Sequence, residues 1–241
     1  MKLYVIGIGP GEEPQMTLKA QKALDACEVL VGYQVYIDLL AKRYRDKPCL
    51  STPMTKEVER CRMAFEEARG GKTVGLVCSG DPGIYGMAGL CLELSQEYPD
   101  ISVEIIPGVT AALSGAAGLG APLTHDFAVI SLSDRLTEWE TIEKRLRAAA
   151  NADFAICIYN PASRARKDYL EKACGILLEH LAPDTVCGCA YRIGREGESF
   201  ETTTLSELCS LPADMFTTVF IGNSQTRIIG GKMVTPRGYR L

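Results

Sequence analysis

The feature that most constrains this chain is an alternation. Short apolar runs closed by glycine exchange regularly with segments of helical period. Residues 3–8 form an apolar run ended by Gly9, residues 18–27 repeat with helical period, and residues 29–31 are apolar again up to Gly32. Further on, residues 54–69 read as an amphipathic helix, 73–78 as a buried strand, 84–98 as a helix, and 101–106 as a strand stopped by Pro107-Gly108. An antiparallel neighbour needs only a tight turn, whereas a parallel one needs a long crossover, usually a helix. Strands separated by helices therefore predict the α/β class, with a mostly parallel sheet in the first half.

Residues 111–122 are rich in Ala and Gly. A domain junction is expected there, dividing the chain into an N-terminal α/β domain over 1–112, a linker over 113–122 and a C-terminal domain over 123–241. In the second domain, residues 127–131, 154–158 and 185–190 read as buried strands, with helices over 138–150 and 165–181. The stretches 199–204 and 217–221 are β-branched, and 228–234 folds around Gly230-Gly231, a hairpin-turn dipeptide. This domain should carry a mixed sheet with antiparallel strands.

Composition narrows the function. Lys and Arg number 26 against 30 Asp and Glu, a formal charge of −4, which argues against a nucleic-acid partner. The 46% hydrophobic and 23% charged content is that of a globular protein, not a disordered one. The chain opens on a strand pattern, with no signal-peptide core or long apolar span, so a cytoplasmic protein without a membrane partner is expected. Ten cysteines lie within apolar patterns and no C-x-x-C occurs, which favours free, mostly buried thiols. Cys187-Gly188-Cys189 has only His125 and His180 to join it, so no metal site is expected.

Three glycine signals are decoys. Gly7-Ile8-Gly9-Pro10-Gly11 follows a strand, but its third Gly comes one residue early for a dinucleotide fingerprint, and Tyr33-Gln34 stand where an acidic residue would bind ribose. Gly71-Lys72-Thr73 lacks the upstream Gly of a P-loop, since position 66 is Glu. Ser114 lacks the flanking Gly of a nucleophile elbow, since position 112 is Ala. What remains is a set of turns at the carboxyl ends of expected strands, where open α/β sheets bind ligands: residues 7–11, 79–86 and 107–111.

These turns resemble those of the tetrapyrrole methylase family. Longer strings, among them Val31-Gly32-Tyr33-Gln34-Val35-Tyr36, Ser131-Leu132-Ser133-Asp134, Tyr159-Asn160-Pro161 and Thr235-Pro236-Arg237-Gly238-Tyr239, are similar to the branch that methylates a precorrin at carbon 17. The resemblance covers nearly the whole chain. It implies two α/β domains, a homodimer, S-adenosyl-L-methionine as methyl donor, and a precorrin-type tetrapyrrole as substrate. The resemblance further implies that this substrate is precorrin-3B or its cobalt-bearing counterpart, methylated at carbon 17 with ring contraction in cobalamin biosynthesis. The family's uroporphyrinogen branch carries an acidic residue at the end of the second strand, and this chain does not. Alternatives stay open: another precorrin position, RNA or a modified protein histidine as acceptor, or a nucleotide-sensing module without turnover.

By the resemblance, Pro10, Ser79, Gly80, Asp81, Ile84, Thr110 and Ala111 hold the donor from the first domain, and Tyr159, Ala190 and Thr218 from the second. Asp81 is also a good turn former before Pro. The macrocycle carries many carboxylates. No Asp or Glu follows Asp214, while Arg227, Lys232, Arg237 and Arg240 do, so Arg192, Arg227 and Arg237 are candidate carboxylate clamps. Ring contraction moves protons. For that step Asp134 is nominated as the acid or base, with Ser133 and His125 as helpers, because they flank the first strand of the second domain.

Overall fold

Five strands alternate with helices through Met1–Ala111, the first of two compact units; the second runs from Ala112 onward. The computed structural model describes residues 1–163 and 165–240. In the first unit the strands are β1 (Lys2–Gly7), β2 (Val29–Tyr33), β3 (Cys49–Thr52), β4 (Thr73–Cys78) and β5 (Ser102–Ile106), in the order β3-β2-β4-β1-β5 with every neighbouring pair parallel.

Both faces of this sheet are covered, which is why its strands read as nearly unbroken apolar runs. Leu3, Val5, Val31, Leu76 and Cys78 pack toward Phe65 of α4 (Glu57–Arg69) and Cys91 of α5 (Ala88–Leu94). Ile6, Ile8, Leu30 and Val77 pack the other way, with Leu24 of α1 (Leu18–Ala26), Ile37 of α2 (Gln34–Ile37) and Tyr44 of α3 (Lys42–Arg45). Helix α1 begins where the Thr17 hydroxyl accepts the Ala20 N–H at 3.1 Å. At its other end the Lys47 ammonium donates to the carbonyls of Leu24, Asp25 and Cys27 at 2.7–2.8 Å, filling acceptors that a helix C-terminus leaves open.

Two helices are shorter than their sequence pattern. Pro53 and a left-handed Thr55 (φ 74°) delay α4 to Glu57. Residues 79–86 stay a turn, and a methyl group on Gly86 would meet the Pro82 carbonyl oxygen at 2.6 Å.

The second unit corrects the expected linker. Residues 113–122 fall mostly in α6 (Ala111–Leu119) and the short strand β6 (Gly120–Ala121). The small residues are there for packing. A Cβ on Gly115 would lie 2.8 Å from the Phe220 ring, and one on Gly118 would lie 2.1 Å from the Phe200 ring. Beyond it come β7 (Phe127–Ser131), α7 (Trp139–Asn151), β8 (Ala155–Tyr159), α8 (Tyr169–Leu178), β9 (Val186–Tyr191), β10 (Ser199–Thr204), α9 (Leu205–Leu208) and β11 (Thr217–Ile221). The sheet order is β10-β9-β11-β8-β7; only β7 and β8 pair in parallel. One face buries Ile130, Ile156, Ile158, Val219 and Ile221 with α7, α8 and α9. A second small sheet joins the hairpin β12 (Arg227–Ile229) and β13 (Lys232–Val234) to β6. Gly230 (φ 57°) and Gly231 (φ 76°) supply the two left-handed positions its two-residue turn requires.

Candidate active site

The order β4-β1-β5 makes the three sequence-marked turns direct neighbours on one edge of the first sheet. They are knitted backbone to backbone. Gly9 and Gly80 exchange both N–H···O bonds, at 3.1 and 2.7 Å, and the Ile8 N–H donates to the Cys78 carbonyl at 2.9 Å. A Cβ on Gly108 would fall 2.1 Å from the Gly80 oxygen and 2.7 Å from the Gly7 carbonyl carbon; one on Gly7 would meet Gly108 N and Gly80 O at 2.7 Å. Gly80 differs. A Cβ there finds nothing closer than 3.6 Å, and its φ of 66°, not crowding, is what calls for glycine.

Asp81 joins two of the turns. Its Oδ1 accepts the Gly83 N–H at 2.7 Å, and its Oδ2 accepts the Gly108 N–H at 3.0 Å. The anion is therefore part of the frame of the turns. Around it Pro10 and Gly80 are buried, and Ser79, Thr110 and Ala111 are half-buried. Gly83, Ile84, Tyr85 and Gly86 are exposed, Ile84 by 40% and Tyr85 by 56%. The edge thus offers apolar side chains and bare backbone held on a rigid base.

In the second unit the sequence-nominated residues separate. The Tyr159 hydroxyl accepts the Ala112 N–H at 2.7 Å, satisfying a donor in the first turn of α6. Ala190 and Thr218 are register partners on β9 and β11, and both are buried. A Cβ on Gly115 would lie 3.1 Å from the Ala190 methyl, so this methyl faces α6.

His125 and Asp134 do not form one constellation. His125 precedes β7 and Asp134 follows it, so the five residues of the strand, at about 3.3 Å each, lie between them. The half-buried His125 has its Nδ1 3.1 Å from the Asp126 backbone nitrogen, whose N–H it accepts, and 3.8 Å from Asp126 Oδ2. Asp134 instead belongs to a cluster around the ends of β7 and β8. Arg166 Nη1 donates to Asp134 Oδ1 at 2.8 Å and to the Ser133 hydroxyl at 3.0 Å, and the Tyr169 hydroxyl donates to Asp134 Oδ2 at 2.6 Å. The Ser131 hydroxyl accepts from Asn160 Nδ2 at 2.9 Å and from the Ser133 N–H at 3.2 Å. The Tyr169 hydrogen bond, reinforced by the Arg166 charge, holds the Asp134 carboxyl below its ordinary range, and the same bond pushes the Tyr169 phenol up. The proton stays on Tyr169. Asp134 is built to be a carboxylate, not a proton donor.

Sequence reasoning missed Arg166, Tyr169 and Asn160. The string Tyr159-Asn160-Pro161 stood out only by its resemblance to the family, and nothing in the sequence joined Asn160, Arg166 and Tyr169 to Ser133-Asp134. Among the candidate clamps, Arg192 (φ 50°) closes β9, Arg227 lies on β12 and Arg237 follows β13. All are exposed, and among the described residues none has a carboxylate partner. Lys232 instead donates to the Gly118 carbonyl at 3.2 Å. All ten cysteines are free and eight are buried; burial pushes the Cys78 thiol up to about 12, which leaves it protonated and unreactive at neutral pH. Among the described residues no His, Cys, Asp and Glu set gathers as a metal site, and no helix is long and apolar enough to cross a membrane.

A two-unit α/β protein with backbone turns clustered at one parallel-sheet edge is an architecture that binds a small ligand at its strand ends. Residues 2–209 match the Tetrapyrrole (Corrin/Porphyrin) Methylases, and the chain belongs to that family. It is 48% identical over 240 residues to the probable cobalt-factor III C(17)-methyltransferase of Salmonella typhimurium, covering 99% of this chain and 100% of that protein. It is 40% identical over 231 residues to the precorrin-3B C(17)-methyltransferase of Sinorhizobium sp, covering 94% and 91%. The crystal structure of the methyltransferase CobJ superposes with a TM-score of 0.90 at 37% identity, over 97% of this chain and 99% of that one.

Proposed function

We propose that this protein transfers a methyl group from S-adenosyl-L-methionine to carbon 17 of precorrin-3B or cobalt-factor III, with contraction of the macrocycle, in cobalamin biosynthesis. The observation that carries this reading is the 48% identity to the Salmonella protein across both whole chains. The donor supplies an electrophilic methyl from a sulfonium whose positive charge vanishes as the sulfur keeps the C–S electron pair, so the chain's task is alignment more than charge stabilisation. The turns after β1, β4 and β5 suit that task. Their spacing is set by glycine contacts and by the Asp81 bonds to Gly83 and Gly108, while Ile84 and the backbone of 79–81 and 110–111 offer apolar and hydrogen-bonding surface. A cradle in which an added Cβ would meet backbone fits a ligand that lies close against the main chain.

Arg192, Arg227 and Arg237 receive macrocycle carboxylates in this reading, as exposed guanidiniums without a carboxylate partner among the described residues. Asp134, held ionised by Tyr169 and Arg166, is the base of the contraction step. The resemblance to the family supports a homodimer. Incubation with methyl-labelled donor and either macrocycle, with mass analysis of the product, tests the reading. Label in a contracted, carbon-17-methylated product is expected; label in RNA, in protein, at another carbon or nowhere overturns it.

A further inference from the structure

Helix α4 carries an anomaly on its buried face. Arg60 is 3% exposed, next to Cys61 and one turn from Ala64, and among the described residues no carboxylate lies within ion-pair distance of it. Its guanidinium has only neutral partners. Nη2 donates to the carbonyls of Pro53 at 2.9 Å and Thr52 at 3.4 Å, and Nη1 lies 3.5 Å from the Met87 sulfur. Among the described residues the Nε–H has no acceptor, and the buried hydroxyl of Thr52, whose own carbonyl is one of the Nη2 partners, has no hydrogen-bond partner either. The Tyr33 ring lies 5.8 Å from the guanidinium carbon.

A buried guanidinium is normally paired, and a buried polar group without a partner is uncommon in a folded protein. Two such groups on residues already in contact through the Thr52 carbonyl mark a place where an acceptor is missing. The surroundings say which. Tyr33 closes β2 and Thr52 closes β3, so the cation stands at the carboxyl edge of the parallel sheet. Met87 is the residue immediately before α5, at the exit of the 79–86 turn. Arg60 therefore lies beside the donor turns, on the same edge and within the same unit. The shortest guanidinium contact is to the Pro53 carbonyl, on a connection that includes the left-handed Thr55 and an exposed Met54.

We propose that Arg60 anchors one carboxylate of the tetrapyrrole acceptor, at a subsite bounded by Tyr33, Thr52, Pro53 and Met87, with Nε and the Thr52 hydroxyl as donors. A carboxylate accepts from two guanidinium nitrogens in one plane, and both Nε and an Nη are available once the Pro53 carbonyl gives way. The inference rests on the acceptor being a polycarboxylate macrocycle, as under the proposed function. It adds where one arm of that macrocycle is held relative to the donor turns.

The test uses the full chain with S-adenosylhomocysteine bound, and uroporphyrin, an octacarboxylate macrocycle whose fluorescence reports binding without turnover. Arg60→Gln should weaken uroporphyrin binding at least tenfold, Arg60→Lys should recover part of that loss, and calorimetry should find the affinity for S-adenosylhomocysteine unchanged. Equal uroporphyrin affinity in wild type and Arg60→Gln overturns the proposal. If Arg60→Gln loses both ligands through misfolding, wild-type protein labelled with [15N]arginine decides. The Nε–H signal of Arg60, assigned through its contacts to Tyr33 and Met87, should shift when uroporphyrin is added; an unmoved signal overturns the proposal. A wild-type protein that binds uroporphyrin through Arg60 but methylates neither precorrin-3B nor cobalt-factor III would remove the proposed function and leave this subsite standing. Carbon-17 methylation with an unchanged KM in Arg60→Gln would do the reverse.

Discussion

Asp81 and Gly108 stand 27 residues apart in sequence, yet the Asp81 Oδ2 accepts the Gly108 N–H at 3.0 Å. With Oδ1 bonded to the Gly83 N–H, one carboxylate fixes the turn after β4 against the turn after β5. Asn at this position presents an N–H to one of those backbone donors. One amide is left without an acceptor, at a cost of about 1–3 kcal/mol. Asp81→Asn should therefore lower the melting temperature and weaken S-adenosylhomocysteine binding together, as calorimetry and a thermal melt will show. A variant that loses donor affinity at full stability would instead mean that the carboxylate meets the ligand directly.

Gly108 has a second role, set by space. An added methyl would lie 2.1 Å from the Gly80 oxygen and 2.7 Å from the Gly7 carbonyl carbon, so the turns after β1, β4 and β5 must part. Gly108→Ala should cost about 1–3 kcal/mol in overpacking and abolish measurable donor binding. Gly89→Ala is the control. Gly89 lies in α5 with nothing within 4 Å of an added Cβ, and there Ala should raise stability by about 0.5–1 kcal/mol. Urea unfolding of both variants, with opposite signs, checks the pair.

What the sequence made legible is what periodicity and glycine can encode. The strands of residues 73–78, 127–131, 199–204 and 217–221 appear with the expected bounds, because an apolar or β-branched run closed by a turn signal has one solution. The three turns were legible for the same reason, and the β4-β1-β5 order brings them together. Residues 111–122 were misread because Ala and Gly look alike in a linker and in a helix that admits rings. Only the three-dimensional placement of Phe200 and Phe220 distinguishes the two. Strand β3 went unseen since it is four residues long and half-buried on the sheet edge. Within the site, the partners of Asp134 lie 32 and 35 residues away, and no local pattern carries such a pairing. Arg60 was hidden differently: its neighbours Glu57, Glu59 and Arg62 made it one charge among several, and only burial sets it apart.

Arg237 follows β13, exposed and without a carboxylate partner among the described residues. The macrocycle is polyanionic while the donor is a cation, so Arg237→Ala should raise the KM for the macrocycle and leave donor affinity as it is. The wild-type KM should also rise with salt, more steeply than in Arg237→Ala, since exposed charge pairs are screened. Steady-state kinetics at two ionic strengths separates this from a tail that merely supports the fold, which would change both constants alike.

In the proposed reaction, contraction of the macrocycle follows methyl transfer. Alignment is enough for methyl transfer, whereas contraction of the ring shifts bonds and protons, so a base should matter to that step alone. In the proposed function Asp134 is that base, and two groups favour its charged form: the Tyr169 hydroxyl at 2.6 Å and Arg166 at 2.8 Å. Its pKa is depressed in the folded protein, so the stability this pairing contributes is present above the ordinary carboxyl range and is lost as pH falls through the lowered value. The Asp134 carboxylate is accordingly ionised throughout the neutral range. Removing the hydroxyl with Tyr169→Phe takes away the largest cause of the depression, and the acid limb of the contraction rate should move to higher pH, while the methylation rate keeps its profile. Asp134→Asn should still transfer the methyl group but release a methylated macrocycle that has not contracted. Single-turnover mixtures read by mass spectrometry and absorption distinguish the outcomes. Contraction at the wild-type rate in Asp134→Asn, or equal loss of methylation and contraction, would remove Asp134 as the base.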